Sequence, residues 1–294
     1  MFIYLNDKVV PSSEAKVSVF DHGFLYGDGI YETLRVYDGV IFMADEHLRR
    51  LFRSAALIGL DMHRDISGVK LAVYETLQAN SLINAYVRLT VSRGYGPIGL
   101  DPDLCKEPTF VVIANAFKDY PQAFYSEGIK LIIAATRRNL KEALNPQIKS
   151  LNFLNNILAK IEAKKADAHE AIMLNAAGHL AEGTISNIFF VSDGIVHTPS
   201  PECGILDGIT RSLVIEDAVK SGMRVKEGEF TTAELYRATE VFITNTTMEV
   251  MPVSRVDTVK FKVGEASRAL LKKYKQEVNG YVKEKKGEGP SLWE

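Results

Sequence analysis

The sequence predicts an α+β protein of two domains, on three observations. Two-residue alternation and helical spacing of apolar residues both occur, in mixed order rather than in the strict strand-helix repetition of a Rossmann sheet. Asp-Gly turns at Asp38-Gly39 and Asp193-Gly194 each join two β-patterned segments, giving a hairpin signal in each half. Between Lys118 and Gly128 both periodicities lapse, and Pro121 and Gly128 interrupt the chain. The expected organisation is a small N-terminal domain over 1–117, a linker over 118–128 and a larger C-terminal domain over 129–294.

In the N-terminal half, Phe2 to Leu5 and Val9-Val10 are strands joined by the Asn6-Asp7 turn and stopped by Pro11 and Ser12. Tyr31 to Tyr37 alternates and turns at Asp38-Gly39 into Val40 to Met43. Asp45 is placed to cap a helix whose Leu48, Leu51, Phe52, Ala55 and Ile58 fall at helical spacing, with Gly59 in the C-terminal cap position. A second helix around Val69 to Leu77 leads to the strand Ala85 to Ser92, in which Tyr86 and Arg88 share one face and Val87 and Leu89 the other. Thr109 to Ala114 is a further strand.

The C-terminal half opens with the strand Ile129 to Thr136, followed by a helix whose Leu154, Ile157, Leu158 and Ile161 make an apolar stripe. Strands Ala171 to Leu174 and Ile185 to Val191 follow, the latter turning at Asp193-Gly194 into Ile195 to His197. Leu213 to Val219 is a helix stopped by Gly222, and Thr231-Thr232-Ala233-Glu234 offers a capping box for another.

Composition narrows the function classes. Lys plus Arg total 35 against 37 for Asp plus Glu, a net charge of −2, so no positive field is present to release counterions from a nucleic acid. The 46% hydrophobic and 24% charged content is that of a folded globular protein. No apolar run approaches the ~18 residues of a membrane helix, and the first residues lack a signal peptide's charged start and apolar middle, so a cytoplasmic location is expected. Cys105 and Cys203 have no CxxC spacing; neither a disulfide framework nor a metal site is expected.

Four segments carry residues that could do chemistry. Lys149, in the apolar, amide-rich run Asn145 to Phe153, precedes a helix; on local pattern it is a surface lysine or, if desolvated, a nucleophile able to condense with a carbonyl. Glu182, among small and hydroxylated residues just before a buried run, is either a loop-end carboxylate accepting backbone donors or a partner for a cofactor nitrogen. Gly204 to Arg211 runs glycine-rich into a helix start, which serves equally as a capping segment with Arg211 on the surface or as a phosphate cradle; Thr244-Asn245-Thr246-Thr247 could add hydroxyl donors or be a plain polar turn. Arg50 lies beside the apolar face of the first long helix, whereas Arg49 and Arg53 point towards solvent.

Taken together these segments resemble the fold type IV pyridoxal phosphate enzymes, the class IV aminotransferases, with the branched-chain amino acid aminotransferases as the nearest group among them. The resemblance runs to about Val253 and rests on His47-Leu48-Arg49-Arg50-Leu51-Phe52-Arg53-Ser54-Ala55, on Lys149-Ser150-Leu151-Asn152-Phe153-Leu154-Asn155-Asn156, on Glu182-Gly183-Thr184-Ile185-Ser186-Asn187-Ile188-Phe189 and on Gly208-Ile209-Thr210-Arg211. It implies a two-domain fold with pyridoxal 5'-phosphate at the domain interface and ping-pong transamination. Lys149 would be the covalent attachment point and catalytic base, Glu182 would face the pyridine nitrogen, Arg50, Ile209, Thr210 and Thr246 would hold the phosphate, and Ser186 and Asn187 would complete the cofactor site.

The same resemblance places Tyr26, Tyr31 and Arg35 in a substrate pocket, with Tyr86 and Arg88 matching the aromatic-x-Arg of the branched-chain enzymes, and with Phe153, Thr247 and Met248 beside them. Tyr120 is a further pocket candidate. Pro97-Ile98-Gly99-Leu100 resembles the branched-chain loop, where the D-amino acid enzymes carry Arg and His at the positions of Ile98 and Leu100. The expected reaction moves the amino group of L-leucine, L-isoleucine or L-valine to 2-oxoglutarate, in a homodimer or larger assembly. Thr33, where the branched-chain enzymes usually have Gly, and Phe153, where Tyr is common, depart from that pattern, and Asn245-Thr246-Thr247-Met248 looks closer to the D-amino acid enzymes and the lyases; the alternative on the same fold is a D-amino acid or (R)-amine transaminase or an aminodeoxychorismate lyase.

Overall fold

The computed structural model of the chain describes residues 1–287. It divides into two compact units: Met1–Lys118 with Ile148–Asn152 and residues 278–287, and Asp119–Gln147 with Phe153–Glu277.

The first unit is built on β1 (Phe2–Leu5), β2 (Lys8–Pro11), α1 (His22–Tyr26), β3 (Gly29–Tyr37), β4 (Val40–Ile41), α2 (Ala44–Leu57), α3 (Ile66–Ala79), β5 (Ala85–Ser92) and β6 (Thr109–Ala116). The strands form one antiparallel sheet in the order β2-β1-β6-β5-β3-β4. Asp38 and Gly39 both take positive φ, 47° and 81°, as the tight β3–β4 turn requires. Alternation sorts the sheet into two faces. Ile30, Leu34, Val36, Val87, Leu89, Val91, Phe110 and Val112 lie in a core with Leu48 and Leu51 of α2 and Val69, Val73 and Leu77 of α3; each leucine so buried contributes about 1.5–3 kcal/mol. Tyr31, Thr33 and Arg35 pair with Thr90, Arg88 and Tyr86 on the opposite face.

Residues 148–152 belong to this unit because they run beside β3. Ser150 bridges Ile30, the Tyr31 amide donates to the Lys149 carbonyl at 2.9 Å, and the Leu151 amide to the Gly29 carbonyl at 2.9 Å. Tyr281 likewise packs edge-on against Phe42, with ring centroids 5.2 Å apart.

Helix α2 does not start as expected. Its N-cap is Met43, in the left-handed region at φ 49°, with no side-chain cap, and Asp45 sits inside the first turn, ion-paired with Lys70 at 3.0 Å. There its charge complements the helix dipole rather than closing an orphan amide. Gly59 does take the left-handed conformation just past the helix, φ 58°.

The second unit comprises α4 (Gln122–Glu127), β7 (Ile129–Ile133), α5 (Leu154–Lys165), β8 (Glu170–Leu174), β9 (Leu180–Gly183), β10 (Asn187–Ser192), β11 (Ile195–Pro199), α6 (Ile209–Lys220), β12 (Arg224–Gly228), α7 (Thr232–Tyr236), β13 (Glu240–Asn245), β14 (Glu249–Val256), β15 (Val259–Lys260) and the part of α8 (Glu265–Lys285) up to Glu277. The sheet order is β12-β11-β10-β13-β14-β7-β8-β9, and β9 returns to pair with β10 through Glu182 and Asn187, closing six strands into a ring. Inside lie Ile129, Leu131, Ile172, Leu174, Leu180, Ile188, Phe190, Val241, Ile243, Met251 and Val253. The capping box expected at α7 is present, with Thr231 and Glu234 exchanging bonds.

The apolar stripe of α5 is not its buried face. Asn156, Ala159 and Ala163 are buried, the two alanines against Ala134, Ala171 and Met173, whereas Leu154 is 68% exposed and Ile157, Leu158 and Ile161 are nearly half exposed. Small residues bring the helix close to β8 and leave the branched side chains on the far side.

Candidate active site

In the first unit the candidates gather around β3. The Tyr31 ring is flanked by two cations, Arg88 with its guanidinium carbon 4.0 Å from the ring centroid and Lys149 with Nζ at 4.5 Å. Burial holds the Tyr31 phenol well above its ordinary pKa, with Arg88 opposing, so the hydroxyl stays protonated. Lys149 is half-buried; its backbone amide donates to Ser54 Oγ of α2 at 3.2 Å, and the strand-like pairing to β3 fixes where the side chain starts. Tyr26 accepts the Gly99 amide at 3.1 Å on its hydroxyl, tying α1 to the 97–100 loop, and Ile98 and Leu100 of that loop are 74% and 83% exposed.

Arg35 stands on the same sheet face, but its guanidinium lies 3.5 Å over the Phe117 ring and 4.3 Å over Tyr37, and donates to the Val36 and Ala85 carbonyls. These contacts commit it to the sheet, and Arg88 is the cation beside Tyr31.

Arg50 is buried on the other face of β3. Its Nε and Nη2 donate to Glu32 Oε1 at 2.6 Å and Oε2 at 2.9 Å, and His47 Nδ1 lies 2.9 Å from Oε2. Burial alone would raise the Glu32 pKa, yet Arg50 and His47 outweigh it and hold the carboxyl well below the usual range. Burial lowers the His47 pKa despite the Glu32 bond, so His47 is neutral at pH 7 and donates from Nδ1. Glu32 was not anticipated. The signal was available: it shares strand parity with the core residues Ile30, Leu34 and Val36, an unusual place for a charge unless it is paired.

In the second unit Glu182 is buried, Oε1 accepting Arg138 Nε at 2.8 Å and Oε2 the Leu206 amide at 2.9 Å. A register shift between β8 and β9, where Ile172 faces Gly183 and Leu174 faces Leu180, turns Glu182 out of the ring interior, so that it pairs with Asn187. The intervening turn hangs on Glu170, fully buried, which accepts the Ala171 and Ile185 amides and the hydroxyls of Thr184 and Ser186. The Ser186 hydroxyl therefore serves the turn. Asn187 Nδ2 donates to the Leu206 carbonyl at 2.9 Å.

Asn187 also pairs across β10 and β13 with Thr244, whose buried hydroxyl has no partner. Helix α6 begins at Ile209 behind Gly208, which offers no side-chain cap, so the amides at its first turn are orphan donors. A Cβ at Gly208 would collide with Asn187 Oδ1, so only glycine lets the helix start approach this closely. Thr210 is buried at that start. Arg211 is not on the surface: it is buried and paired with Asp207 at 3.1 Å and with Glu227.

Ile209 and Thr246 are half-buried, and Asn245 Oδ1 accepts the amides of Thr247 and Met248 at 2.9 and 2.7 Å to hold the β13–β14 turn. Tyr120 reaches Thr247, hydroxyl to hydroxyl, at 3.4 Å, and Phe153 is the half-buried N-cap residue of α5.

The second unit's residues fit a phosphorylated pyridine. The orphan amides of α6, with an unpartnered buried hydroxyl nearby, suit a phosphate dianion. A buried carboxylate on the same strand pair suits a ring nitrogen. Among the described residues no group of His, Cys, Asp and Glu could hold a metal ion, and no helix is long and apolar enough to cross a membrane.

Comparison with known proteins gives concordant results. The family model for amino-transferase class IV matches residues 29–256. A Methanocaldococcus jannaschii protein bearing the provisional name branched-chain-amino-acid aminotransferase is 45% identical over 278 residues, 94% of this chain and 96% of that one. The aminodeoxychorismate lyase of Bacillus subtilis is 36% identical over 291 residues, 97% of each chain. Among solved structures, the branched-chain aminotransferase of the thermophilic archaeon Thermoproteus uzoniensis, with norvaline, superposes with a TM-score of 0.90 at 33% identity, covering 95% of each chain.

Proposed function

The chain belongs to the amino-transferase class IV family, and from that premise we propose that it moves the amino group of L-leucine, L-isoleucine or L-valine to 2-oxoglutarate in a ping-pong cycle. Enzymes of this class use pyridoxal 5'-phosphate, whose electron-poor ring, when bound, accepts the electron pair released at the substrate α-carbon.

The chain's own residues supply the rest. Lys149 is the attachment amine and, once released, the base that takes the α-proton and returns it. Glu182 keeps a proton on the ring nitrogen. Arg50, the first-turn amides of Ile209 and Thr210, and Thr246 hold the phosphate, with Ser186 and Asn187 fixing the strand turn beside Glu182. Tyr26, Tyr31, Tyr86 and Phe153 supply aromatic walls for an aliphatic side chain, with Thr247 and Met248 beside them. Arg88 is the cation for a substrate carboxylate, and Arg35 braces the sheet behind it. A cytoplasmic homodimer or larger assembly is part of the same reading.

The observation that carries the substrate reading is the pair Ile98 and Leu100. Both are exposed, and by the resemblance they stand at the positions where the D-amino acid enzymes carry Arg and His; aliphatic side chains cannot clamp a carboxylate. A second reading, a D-amino acid or (R)-amine transaminase or an aminodeoxychorismate lyase, draws support from the Asn245-Thr246-Thr247-Met248 turn and from the 36% identity to the Bacillus subtilis lyase.

Initial rates with L-leucine, D-alanine and (R)-1-phenylethylamine, each with 2-oxoglutarate, separate the transaminases. L-leucine is expected to be the fastest donor. Brisk turnover of D-alanine with none of L-leucine refutes the proposal, and pyruvate release from aminodeoxychorismate without an acceptor selects the lyase. Lys149→Ala is expected to abolish both turnover and the borohydride-fixable covalent attachment of pyridoxal phosphate to the protein.

A further inference from the structure

We propose that Arg138 is a positioning residue that keeps the proton on the cofactor's ring nitrogen rather than on Glu182, and that Asn155 anchors it there; the inference rests on the reading that Glu182 faces that nitrogen. The side chains of Arg138 and Glu182 are 9% and 7% exposed, and Arg138 Nε donates to Glu182 Oε1 at 2.8 Å. The other carboxylate oxygen accepts the Leu206 amide at 2.9 Å. A carboxylate already accepting a cationic and a neutral donor is a weaker proton acceptor than one facing the nitrogen alone. In the N–H···O contact so formed the proton stays on nitrogen. Without the guanidinium charge it moves along the same line to the carboxylate oxygen, leaving a neutral carboxyl and an unprotonated ring.

The guanidinium is held at its far end by the chain's own packing. Arg138 Nη1 donates to Asn155 Oδ1 at 3.2 Å, and Asn155 Nδ2 donates back to the Arg137 carbonyl at 2.7 Å, so one amide grips both the backbone and the side chain of the 137–138 pair. The Arg138 amide is itself fixed to the Leu174 carbonyl at 2.9 Å. The adjacent Asn156 donates to the Thr184 carbonyl at 2.7 Å, two residues past Glu182. The two asparagines at the start of α5 thus brace the carboxylate from both sides. Arg137, its neighbour in sequence, is exposed and makes no such chain.

The test uses holoenzyme loaded with pyridoxal phosphate labelled with 15N in the ring, and reads the 15N chemical shift of wild type, R138M, R138K, N155A and E182Q. Wild type is expected at the protonated-pyridinium position, R138M displaced towards the unprotonated one, N155A displaced less in the same direction, and R138K at the wild-type position. The kcat of R138M is expected to fall, by about tenfold for each pKa unit by which the carboxylate gains on the ring nitrogen, with donor KM little changed. A folded, loaded R138M with the wild-type shift overturns the proposal whatever its activity. Should R138M fail to fold, N155A decides, and a wild-type shift there overturns it equally. An unchanged shift in E182Q would instead overturn the underlying reading that Glu182 meets the nitrogen.

Discussion

Glu32→Gln is a sharp probe of the first unit. The carboxylate has no exposed surface and receives Arg50 at 2.6 and 2.9 Å, His47 at 2.9 Å and the Thr33 amide at 3.2 Å. Glutamine keeps the shape and removes the charge, so Arg50 loses the carboxylate that takes two of its donors, beside a His47 that burial keeps neutral. Breaking a buried pair from one side costs about 3–5 kcal/mol. At roughly 2–4 °C per kcal/mol for domains of this size, Tm is expected to fall by about 6–20 °C.

Differential scanning calorimetry at pH 7.5 measures this, with Arg50→Met and the double variant completing a cycle. The double variant is expected to recover more than half of the loss, because the buried guanidinium is removed together with its carboxylate. The sign with pH follows from a carboxyl held below its unfolded value: its contribution is complete above the unfolded pKa, about 4.3, and disappears only as pH drops through the still lower folded value. The deficit is therefore the same at pH 6 and pH 8. A Tm within 2 °C of wild type, or a deficit that varies across that range, refutes the reasoning.

Two further outcomes follow from the second unit. Asp217 of α6 is fully buried with neither carboxylate oxygen bonded, and burial, reinforced by Glu277 and opposed by Lys273, raises its pKa. Its ionisation therefore costs stability increasingly as pH rises above the unfolded value, so Asp217→Asn is expected to stabilise by about 1–3 kcal/mol in urea melts at pH 8 and by clearly less at pH 5; equal gains at both would contradict this. Gly208→Ala drives a methyl into Asn187 and is expected to weaken pyridoxal phosphate binding at least tenfold by fluorescence titration while free pyridoxal binds as before. Parallel losses for both would show a general distortion instead.

Much of the fold was legible because alternation and turn chemistry are local. The β5 strand, with Tyr86 and Arg88 opposite Val87 and Leu89, follows from spacing alone. Periodicity marked the apolar side of α5 but not which side would be buried: Ala159 and Ala163 decide that, and small residues make a faint signal. Asp45 looked like a cap because an acid before an apolar run usually is one; the left-handed Met43 that starts α2 has no such signature. Lys149 and Glu182 stood out through their surroundings and the family blocks. Arg138 did not, since nothing local separates it from Arg137, and its partners lie 17 and 44 residues on.

The ring of strands in the second unit is fastened by a single rung, Asn187 opposite Glu182, helped by the Gly183 amide on the Ser186 carbonyl at 2.7 Å. Every other junction in the ring is at least two rungs wide. The cheapest way for this barrel to breathe is to unzip where the carboxylate and the amide sit. Whatever molecule bridges those two residues acts as a rivet, and the fold and its chemistry then share one fastening.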